Sequence, residues 1–305
     1  MDADSIAFMA TQPPPSPVPP TPEVARETMR RMRPVNQPDL PHVAQVRDHL
    51  VPGPGGPIPV RAYRGAGTAA GDVLPVQVFY HGGGWVLGDL DSHDWTCRMV
   101  ANAAKCAVVS VDYRLAPEHR FPAAFDDALA ATEWVAANAA LLRIDPARMS
   151  VGGDSAGGNL AAAVALALRE RGAITLRAQI LTYPIVDVTA AYDERFAAGI
   201  ALTGGGMRAY IDAYVPDAAQ RKDWRVSPML ASSLKGLPPA LVILAGFDPL
   251  FAEGGAYAAR LKAEGVPVTV KNYPGQMHGF VSRAKLLPRA YDAIADIAAL
   301  LKANH

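Results

Sequence analysis

The chain has 305 residues, half of them hydrophobic, so it is long enough to bury a sizeable core. Its 29 lysine and arginine residues balance 29 aspartate and glutamate residues, which gives no electrostatic reason to expect nucleic acid or an anionic membrane as a partner. Two cysteines are too few for a disulfide framework, and we expect Cys97 and Cys106 to be reduced and mostly buried.

The N-terminus shows no pattern of export or membrane insertion. Residues 1–4 are acidic and lack the basic and apolar regions of a signal peptide. No apolar run approaches the roughly 18 residues that a membrane span requires. The sequence therefore predicts a cytoplasmic protein without a membrane span.

Prolines dominate the beginning of the chain. Because Pro13–Pro15 and Pro19–Pro20 interrupt regular structure, residues 1–22 are expected to form an extended or partly disordered arm without regular helix. The composition of Val24–Met32 predicts a helix. Three arginines of this helix are expected to form a solvated face: Arg26, Arg30 and Arg31.

Strand-like and helix-like segments alternate after residue 42. Eight segments resemble strands: Val43–Val51, Ile58–Tyr63, Val76–Tyr80, Ala107–Val111, Met149–Gly152, Ala178–Tyr183, Leu241–Ala245 and Val268–Tyr273. Four segments resemble helices: Ala123–Asn138, Gly157–Arg171, Pro249–Glu264 and Pro288–Lys302. The first two strands flank a Pro/Gly-rich loop and should pair antiparallel. The later alternation predicts a mostly parallel eight-stranded α/β sheet with helices on both faces.

One interval breaks the alternation. Residues 184–239 contain no convincing strand and are too long for a loop within a compact domain, so they are expected to include an inserted helical element. The interval carries several aromatic side chains among polar residues: Tyr192, Phe196, Tyr210, Tyr214 and Trp224.

The run Gly153-Asp154-Ser155-Ala156-Gly157 matches the pattern G-x-S-x-G between a predicted strand and a predicted helix. In this context a sharp, strained turn presents the serine hydroxyl at the carboxyl end of the sheet. The flanking glycines leave room where strand and helix nearly touch. Ser155 is therefore the candidate nucleophile of a serine hydrolase.

The run His81-Gly82-Gly83-Gly84-Trp85 follows the third predicted strand. Acyl transfer requires N–H donors placed where the carbonyl oxygen becomes negative, and glycines let the backbone approach that point. The same H-G-G-G pattern supplies such donors in lipases and esterases, with the N–H of the residue after the nucleophile as a further donor. Here that residue is Ala156.

The candidate base and acid follow Ser155 in the chain, in the order acid and then histidine. Two of the seven histidines qualify by position, and the terminal His305 is expected to fray. His278, just after the last strand, is thus the candidate general base. Asp248, after the preceding strand, is the candidate acid, although it could also cap the following helix. Glu253 is the weaker candidate because it falls inside that helix.

These motifs together resemble the bacterial hormone-sensitive-lipase-like carboxylesterases of the α/β-hydrolase superfamily. Two further blocks agree with the resemblance, which runs from about residue 42 to 303: Gly88-Asp89-Leu90-Asp91-Ser92-His93-Asp94 and Val111-Asp112-Tyr113-Arg114-Leu115-Ala116-Pro117-Glu118-His119. The family implies an α/β-hydrolase fold, a catalytic triad and an oxyanion hole. By this resemblance the triad is Ser155, Asp248 and His278, and the oxyanion donors are Gly83, Gly84 and Ala156.

The resemblance also implies a discontinuous helical cap. Residues 41–185 and 227–305 would form the hydrolase core, and residues 1–40 and 186–226 the cap. The chain departs from the family at Ala252, where an aspartate is common, and at Gln276, where an apolar residue or methionine is usual. Both departures are expected to lie beside the site.

Other polar clusters are expected to be structural. A metal site formed by Asp89, Asp91, His93 and Asp94 is not expected, and the proposed chemistry needs no metal or cofactor. Glu118-His119 is interpreted as a structural corner. Asp154 is expected to orient neighbouring loops and to perform no catalytic step.

The sequence therefore predicts hydrolysis of small esters with short to medium acyl chains. The same triad could serve an amide or carbamate hydrolase, and a third possibility is a ligand-binding protein that uses the fold without catalysis. His278 argues against the third, since a receptor needs no base. We expect a small-molecule ester as the partner, and a monomer or a homodimer.

Overall fold

Eight strands form one sheet in the computed structural model, which describes residues 1–11, 20–192 and 202–305. The strands are β1 (Gln45–Val51), β2 (Ile58–Arg64), β3 (Leu74–Tyr80), β4 (Ala107–Val111), β5 (Ile144–Asp154), β6 (Ala178–Thr182), β7 (Ala240–Phe247) and β8 (Val268–Met277). The helices are α1 (Ala3–Ala10), α2 (Pro22–Asn36), α3 (Asp94–Ala104), α4 (Ala123–Ala137), α5 (Ala139–Leu142), α6 (Ala156–Arg171), α7 (Gly204–Tyr214), α8 (Phe251–Ala263) and α9 (Arg289–Asn304).

The strand order is β1-β2-β4-β3-β5-β6-β7-β8. β2 pairs antiparallel with both β1 and β4, and the remaining neighbours pair parallel. Parallel neighbours need a crossover connection, and helices provide it here. The predicted mostly parallel eight-stranded α/β sheet, with its antiparallel first pair, is confirmed.

The sheet separates two hydrophobic cores because successive side chains of a strand point to opposite faces. Val78 and Val242 pack into the core beneath α4, α6 and α8. Their neighbours Phe79 and Ile243 pack into the core beneath α3 and α9. α6 is buried along Ala156–Leu168, so it lies inside the molecule and holds the turn before it in place.

The N-terminal segment differs from the prediction. Residues 1–22 were expected to lack regular helix, yet α1 forms at Ala3–Ala10 because Asp2 caps it by accepting a hydrogen bond from the Ser5 N–H at 3.0 Å. The helix ends before the first proline of the arm. Pro13–Pro15 and Pro19 lie outside the described residues.

α2 matches the predicted helix but does not present all of its arginines to solvent. Arg30 and Arg31 are exposed as expected. Arg26 is partly buried. It donates to the carbonyls of Val86 and Ala116, each at 2.8 Å, and forms a bidentate pair with Glu118. The prediction of a solvated face is therefore wrong at Arg26.

Two further features lie outside the predictions or contradict them. No predicted helix covered α3, which buries Trp95 and the free Cys97 against α9. Cys106 is also buried and free.

His305 was expected to fray, but its Nε2 lies 2.7 Å from the Ser150 hydroxyl. Burial lowers the pKa of His305 to about 4. The chain end is thus anchored against the sheet.

The inserted interval contains α7 and a short 3₁₀ helix at Ala218–Lys222, and no strand occurs between β6 and β7 among the residues the structure describes. Phe196 falls outside those residues. No described helix is both long and apolar enough to cross a bilayer.

The loop after β4 is tied to α4 by an ion pair whose carboxylate is buried. Asp127 is fully buried and accepts from the backbone N–H of Arg114 at 3.0 Å and from its guanidinium nitrogens at 2.8 Å. Removing Asp127 would leave the Arg114 N–H and its partly exposed guanidinium without their acceptor.

We expect Asp127→Ala to lower the free energy of unfolding by roughly 2 kcal/mol, the scale for losing hydrogen bonds to a charged group. Asp212→Ala is the matched control, because Asp212 pairs with Arg221 on the surface and should change the free energy by less than about 1 kcal/mol. Urea unfolding of both variants measures the difference. Equal losses would contradict the importance of burial at Asp127.

Candidate active site

The candidate nucleophile lies on a one-residue turn. β5 ends at Asp154 and α6 begins at Ala156, so Ser155 alone reverses the chain direction. Its backbone adopts φ 57° and ψ −118°, a conformation that residues other than glycine rarely adopt. The Ser155 N–H donates to the Thr182 carbonyl at 2.9 Å, which ties the strained turn to the end of β6.

Glycines on both sides of the turn allow a close backbone approach. A Cβ added at Gly153 would lie 2.4 Å from the Tyr80 carbonyl oxygen, and one at Gly157 would lie 1.9 Å from the same atom. Neither position can hold a side chain without moving β3 or α6. The motif thus needs glycine at both positions because strand and helix nearly touch there, as the sequence predicted.

The three predicted triad residues meet at the carboxyl edge of the sheet. His278 Nε2 lies 2.9 Å from the Ser155 hydroxyl, and His278 Nδ1 lies 2.7 Å from Asp248 Oδ2. β5 precedes Ser155, β7 precedes Asp248 and β8 precedes His278. Parallel strands bring these three ends together although the residues are far apart in sequence.

Asp248 is fully buried and has two kinds of partner. One carboxylate oxygen contacts the imidazole, and the other accepts from the Leu250 N–H at 2.9 Å at the start of α8. The sequence allowed Asp248 both to cap this helix and to orient the histidine. The structure shows the contact with the histidine, whereas the N-cap residue of α8 is Leu250 and the carboxylate binds the N–H of that residue.

The glycine-rich loop faces the same cavity. Gly83 and Gly84 have φ of 125° and 60°, which glycine adopts without steric cost. A Cβ at Gly83 would lie 2.2 Å from the Leu87 carbonyl oxygen, and one at Gly84 would lie 2.4 Å from the ring of Tyr210. The loop is therefore enclosed between its own turn and α7.

Asp154 joins the glycine loop to the nucleophile turn. Its carboxylate accepts from the Gly82 N–H at 2.9 Å and lies 3.1 Å from His93 Nε2. Burial alone would raise the pKa of Asp154, but the facing His93 and the Gly82 N–H hold it below its ordinary value. Asp154 is therefore a buried anion that fastens two loops, in line with the orienting role expected for it.

The acidic block before α3 has separate partners. Asp89 caps the Ser92 N–H, Asp91 pairs with Arg61, and Asp94 pairs with Arg98. His93 faces Asp154 instead. Among the residues that the structure describes, no three potential metal ligands gather in one place.

The two departures from the family pattern have different surroundings. Ala252 was expected beside the site, but it is exposed on α8 and does not line the cavity. Gln276 is buried, and its amide nitrogen donates to the Asp2 carboxylate. Gln276 therefore ties the strand before His278 to the N-terminus of α1, a contact that local sequence patterns do not reveal.

Glu253, the weaker candidate acid, does not contact His278. Its carboxyl group accepts from the Val186 N–H at 2.7 Å and from the Asp187 N–H at 3.4 Å. Burial raises the pKa of Glu253 to about 8, against the opposing effect of these two N–H groups. Glu253 thus supports the chain segment that follows β6.

The cavity above Ser155 has a volume of about 140 Å³. Its walls come from the glycine loop, α2, α7 and the loop after β8, and they include Met29, Leu87, Leu202, Met207, Tyr210 and Arg283. Most of these side chains are apolar. The cavity can therefore hold a small apolar group with its reacting end at the serine hydroxyl.

Comparisons with known proteins agree with this arrangement. The family model for the alpha/beta hydrolase fold matches residues 77–282. The carboxylesterase NlhH of Mycobacterium tuberculosis is 41% identical over 93% of this chain and 90% of its own length. The carboxylic ester hydrolase LipN of the same species is 45% identical over 79% of this chain, and the match spans 65% of LipN.

A solved structure of an ester hydrolase from the metagenome of Lake Arreo superposes with a TM-score of 0.93 at 40% identity, covering 99% of this chain and 98% of that one. The chain therefore belongs to the alpha/beta hydrolase family. Within this family it is a serine carboxylesterase of the bacterial, hormone-sensitive-lipase-like group.

The raised pKa of Glu253 gives a prediction for stability. Between its ordinary pKa of 4.5 and the folded value of about 8, the folded protein holds a proton that the unfolded chain has released. The free energy of unfolding should therefore fall as pH rises through this window, by at most about 1.4 kcal/mol per pH unit.

Glu253→Gln keeps the acceptor oxygen and removes the titration, so its unfolding free energy should fall less over this window than that of the wild type. Urea unfolding at several pH values measures both slopes. The exposed Glu170 supplies the control variant Glu170→Gln, which should keep the wild-type slope. Identical slopes for all three proteins would contradict the prediction.

Proposed function

We propose that the enzyme hydrolyses small esters with short- to medium-chain acyl groups by two-step acyl transfer. The observation that carries this proposal is the hydrogen-bonded series Ser155–His278–Asp248, with separations of 2.9 Å and 2.7 Å, at the floor of the cavity. Such a series activates a hydroxyl that is a weak nucleophile at its ordinary pKa.

His278 takes the Ser155 proton as the hydroxyl oxygen attacks the ester carbonyl, and then gives that proton to the departing alcohol. A water molecule attacks the acyl-enzyme with His278 again as base, which releases the acid. Asp248 accepts the Nδ1–H, so that Nε2 is free to face the serine. Its buried carboxylate also stabilises the imidazolium formed in each step.

The oxyanion formed in each step is stabilised by the backbone N–H groups of Gly83, Gly84 and Ala156. No described residue accepts a hydrogen bond from any of these three N–H groups. The first N–H groups of a helix have no partner within it, and the helix dipole adds partial positive charge at Ala156. Donors left free beside a nucleophile are suited to a developing negative charge.

We assign residues 41–185 and 227–305 to the hydrolase core and residues 1–40 and 186–226 to a helical cap. α2 contributes Met29 to the cavity wall, and α7 contributes Met207 and Tyr210. These helices lie outside the sheet and shape the pocket, and Tyr210 of α7 also packs against the glycine loop. The small apolar cavity between them favours short acyl chains.

Replacing Ser155 by alanine removes the nucleophile. We expect Ser155→Ala to reduce kcat/KM for p-nitrophenyl esters by about 10³-fold or more. Ser233→Ala is the control, because the Ser233 hydroxyl donates to Glu264, accepts from the Lys235 N–H and does not line the cavity. Unchanged ester turnover in Ser155→Ala would rule out the assigned nucleophile.

The same assay, extended over acyl chains from acetate to laurate and to a p-nitroanilide, separates ester from amide hydrolysis. Turnover should peak at short to medium chains, and the anilide should react poorly. Comparable anilide turnover would favour the amide hydrolase alternative. Met207→Ala enlarges the cavity, so the optimum should move to longer chains if α7 covers the site.

Gly84→Ala tests the oxyanion loop. The new Cβ would meet the Tyr210 ring, so the loop must shift and its N–H groups must move from the cavity. We expect kcat to fall by at least about 10-fold, towards the 10²–10³-fold cost of losing one donor. Gly172→Ala has a similar φ of 68° but open space around it, and it should leave kcat unchanged. Equal kcat in both variants would contradict the assignment.

A further inference from the structure

Arg283 is a cation at the wall of the catalytic cavity. It follows the 3₁₀ turn Phe280–Ser282, five residues after His278. It lines the cavity that contains Ser155 and also an adjoining cavity of about 280 Å³ between α1 and α2. Arg283 is therefore partly buried and accessible from both cavities.

The contacts of Arg283 use only part of its hydrogen-bonding capacity. Nη1 donates to the carbonyls of Gly279 at 2.7 Å and His278 at 3.3 Å, and Cζ lies 5.7 Å from the centre of the Phe8 ring. Nε and Nη2 donate to no described residue. These nitrogens belong to the planar fork that binds carboxylates in a bidentate manner.

Among the other arginines with buried or partly buried side chains, Arg64 donates to four backbone carbonyls, whereas others have carboxylate partners. Arg26 pairs with Glu118, and Arg114 pairs with Asp127. No carboxylate within the described ranges lies at ion-pair distance from Arg283. Asp154 is the carboxylate that acts on it electrostatically, but its Oδ1 contacts the Gly82 N–H and His93, and neither of its oxygens pairs with Arg283.

Arg283 is partly buried, and a cation in that position loses part of its hydration without gaining a charged partner. Burial accordingly lowers the pKa of Arg283. An anion entering the cavity would restore the missing interaction. The cavity thus has a built-in preference for one kind of occupant, separate from the reacting groups.

We propose that Arg283 binds an ionised carboxylate on the substrate, so that the natural ester carries an acidic group in addition to the ester bond. This proposal rests on the proposed ester hydrolysis. The carboxylate belongs either to the acyl part, as in a half-ester of a dicarboxylic acid, or to the alcohol part. In both cases it contacts Nε and Nη2 while the ester carbonyl lies at Ser155.

Matched pairs of esters test this proposal. Mono-p-nitrophenyl glutarate carries the carboxylate on the acyl side, and p-nitrophenyl pentanoate is its neutral counterpart. For the alcohol side the pair is 4-acetoxybenzoate and its methyl ester. The readout is the ratio of kcat/KM for the charged ester to that for the neutral one, which cancels any general loss of activity.

We expect Arg283→Gln to lower this ratio by about 10-fold or more for one of the two pairs, the scale of a lost hydrogen bond to a charged group. Most of the change should appear in KM, because the carboxylate binds equally in ground and transition states. Arg283→Lys keeps the charge and should retain part of the preference. Arg289→Gln is the control, since it removes one exposed cation paired with Asp292.

A ratio that stays the same in Arg283→Gln for both pairs overturns the proposal. If that variant does not fold, the wild type and Arg283→Lys are compared instead. In both proteins KM for the preferred charged ester must rise with salt, while KM for its neutral counterpart does not. Absence of this salt effect overturns the proposal too.

Calorimetric binding of glutarate reports on Arg283 without hydrolysis. Wild type and Arg289→Gln should bind it, and Arg283→Lys should bind it more weakly. Equal binding by all three proteins contradicts the carboxylate site. Failure of the proposed function looks different, because the neutral esters would then not be hydrolysed by the wild type.

Discussion

The close approach of β3 to the start of α6 governs the geometry of the site. The Tyr80 carbonyl oxygen occupies the space that side chains at Gly153 and Gly157 would need. β3 continues directly into the glycine loop, and α6 begins with the proposed donor Ala156. The separation of these two backbones therefore sets the distance between the oxyanion donors and Ser155. A single added methyl group would change that distance, whereas the polar residues of the site could remain unchanged.

A buried polar layer maintains this geometry. Asp154 links the Gly82 N–H to His93, and the Tyr113 hydroxyl donates to the His81 carbonyl at 2.6 Å. The His81 ring stacks on Tyr113 with 4.3 Å between ring centres. Loops after β3, β4 and β5 are thus joined where water is scarce, and in such places satisfied hydrogen bonds are strong and rigid. The strained turn at Ser155 can persist because its surroundings determine it on several sides.

The features that sequence patterns predicted are those with local causes. The turn at Ser155 needs glycines at fixed spacing, and chain order separates His278 from earlier histidines. The features they missed at Arg26 and His305 depend on contacts distant in sequence. Arg26 was expected in solvent, but it reaches carbonyls of two loops that only the folded sheet brings near. Likewise His305 is held by Ser150, a residue that precedes it by half the chain. The hydrophobic periodicity of a single segment cannot predict hydrogen bonds to residues far away in the sequence.

The proposed cap is attached to the same loops that carry the reacting groups. The Asp2 N–H donates to the Gly275 carbonyl at 3.1 Å, and the Asp2 carboxylate accepts from Gln276, two residues before His278. Phe8 of α1 faces Arg283, whose guanidinium holds the carbonyls of the His278 loop. Any displacement of α1 therefore acts on the base as well as on the cavity wall. A substrate anion at Arg283 would bind at the point where the cap and the base loop meet. Recognition of a charged ester and correct placement of the base would then depend on one set of contacts.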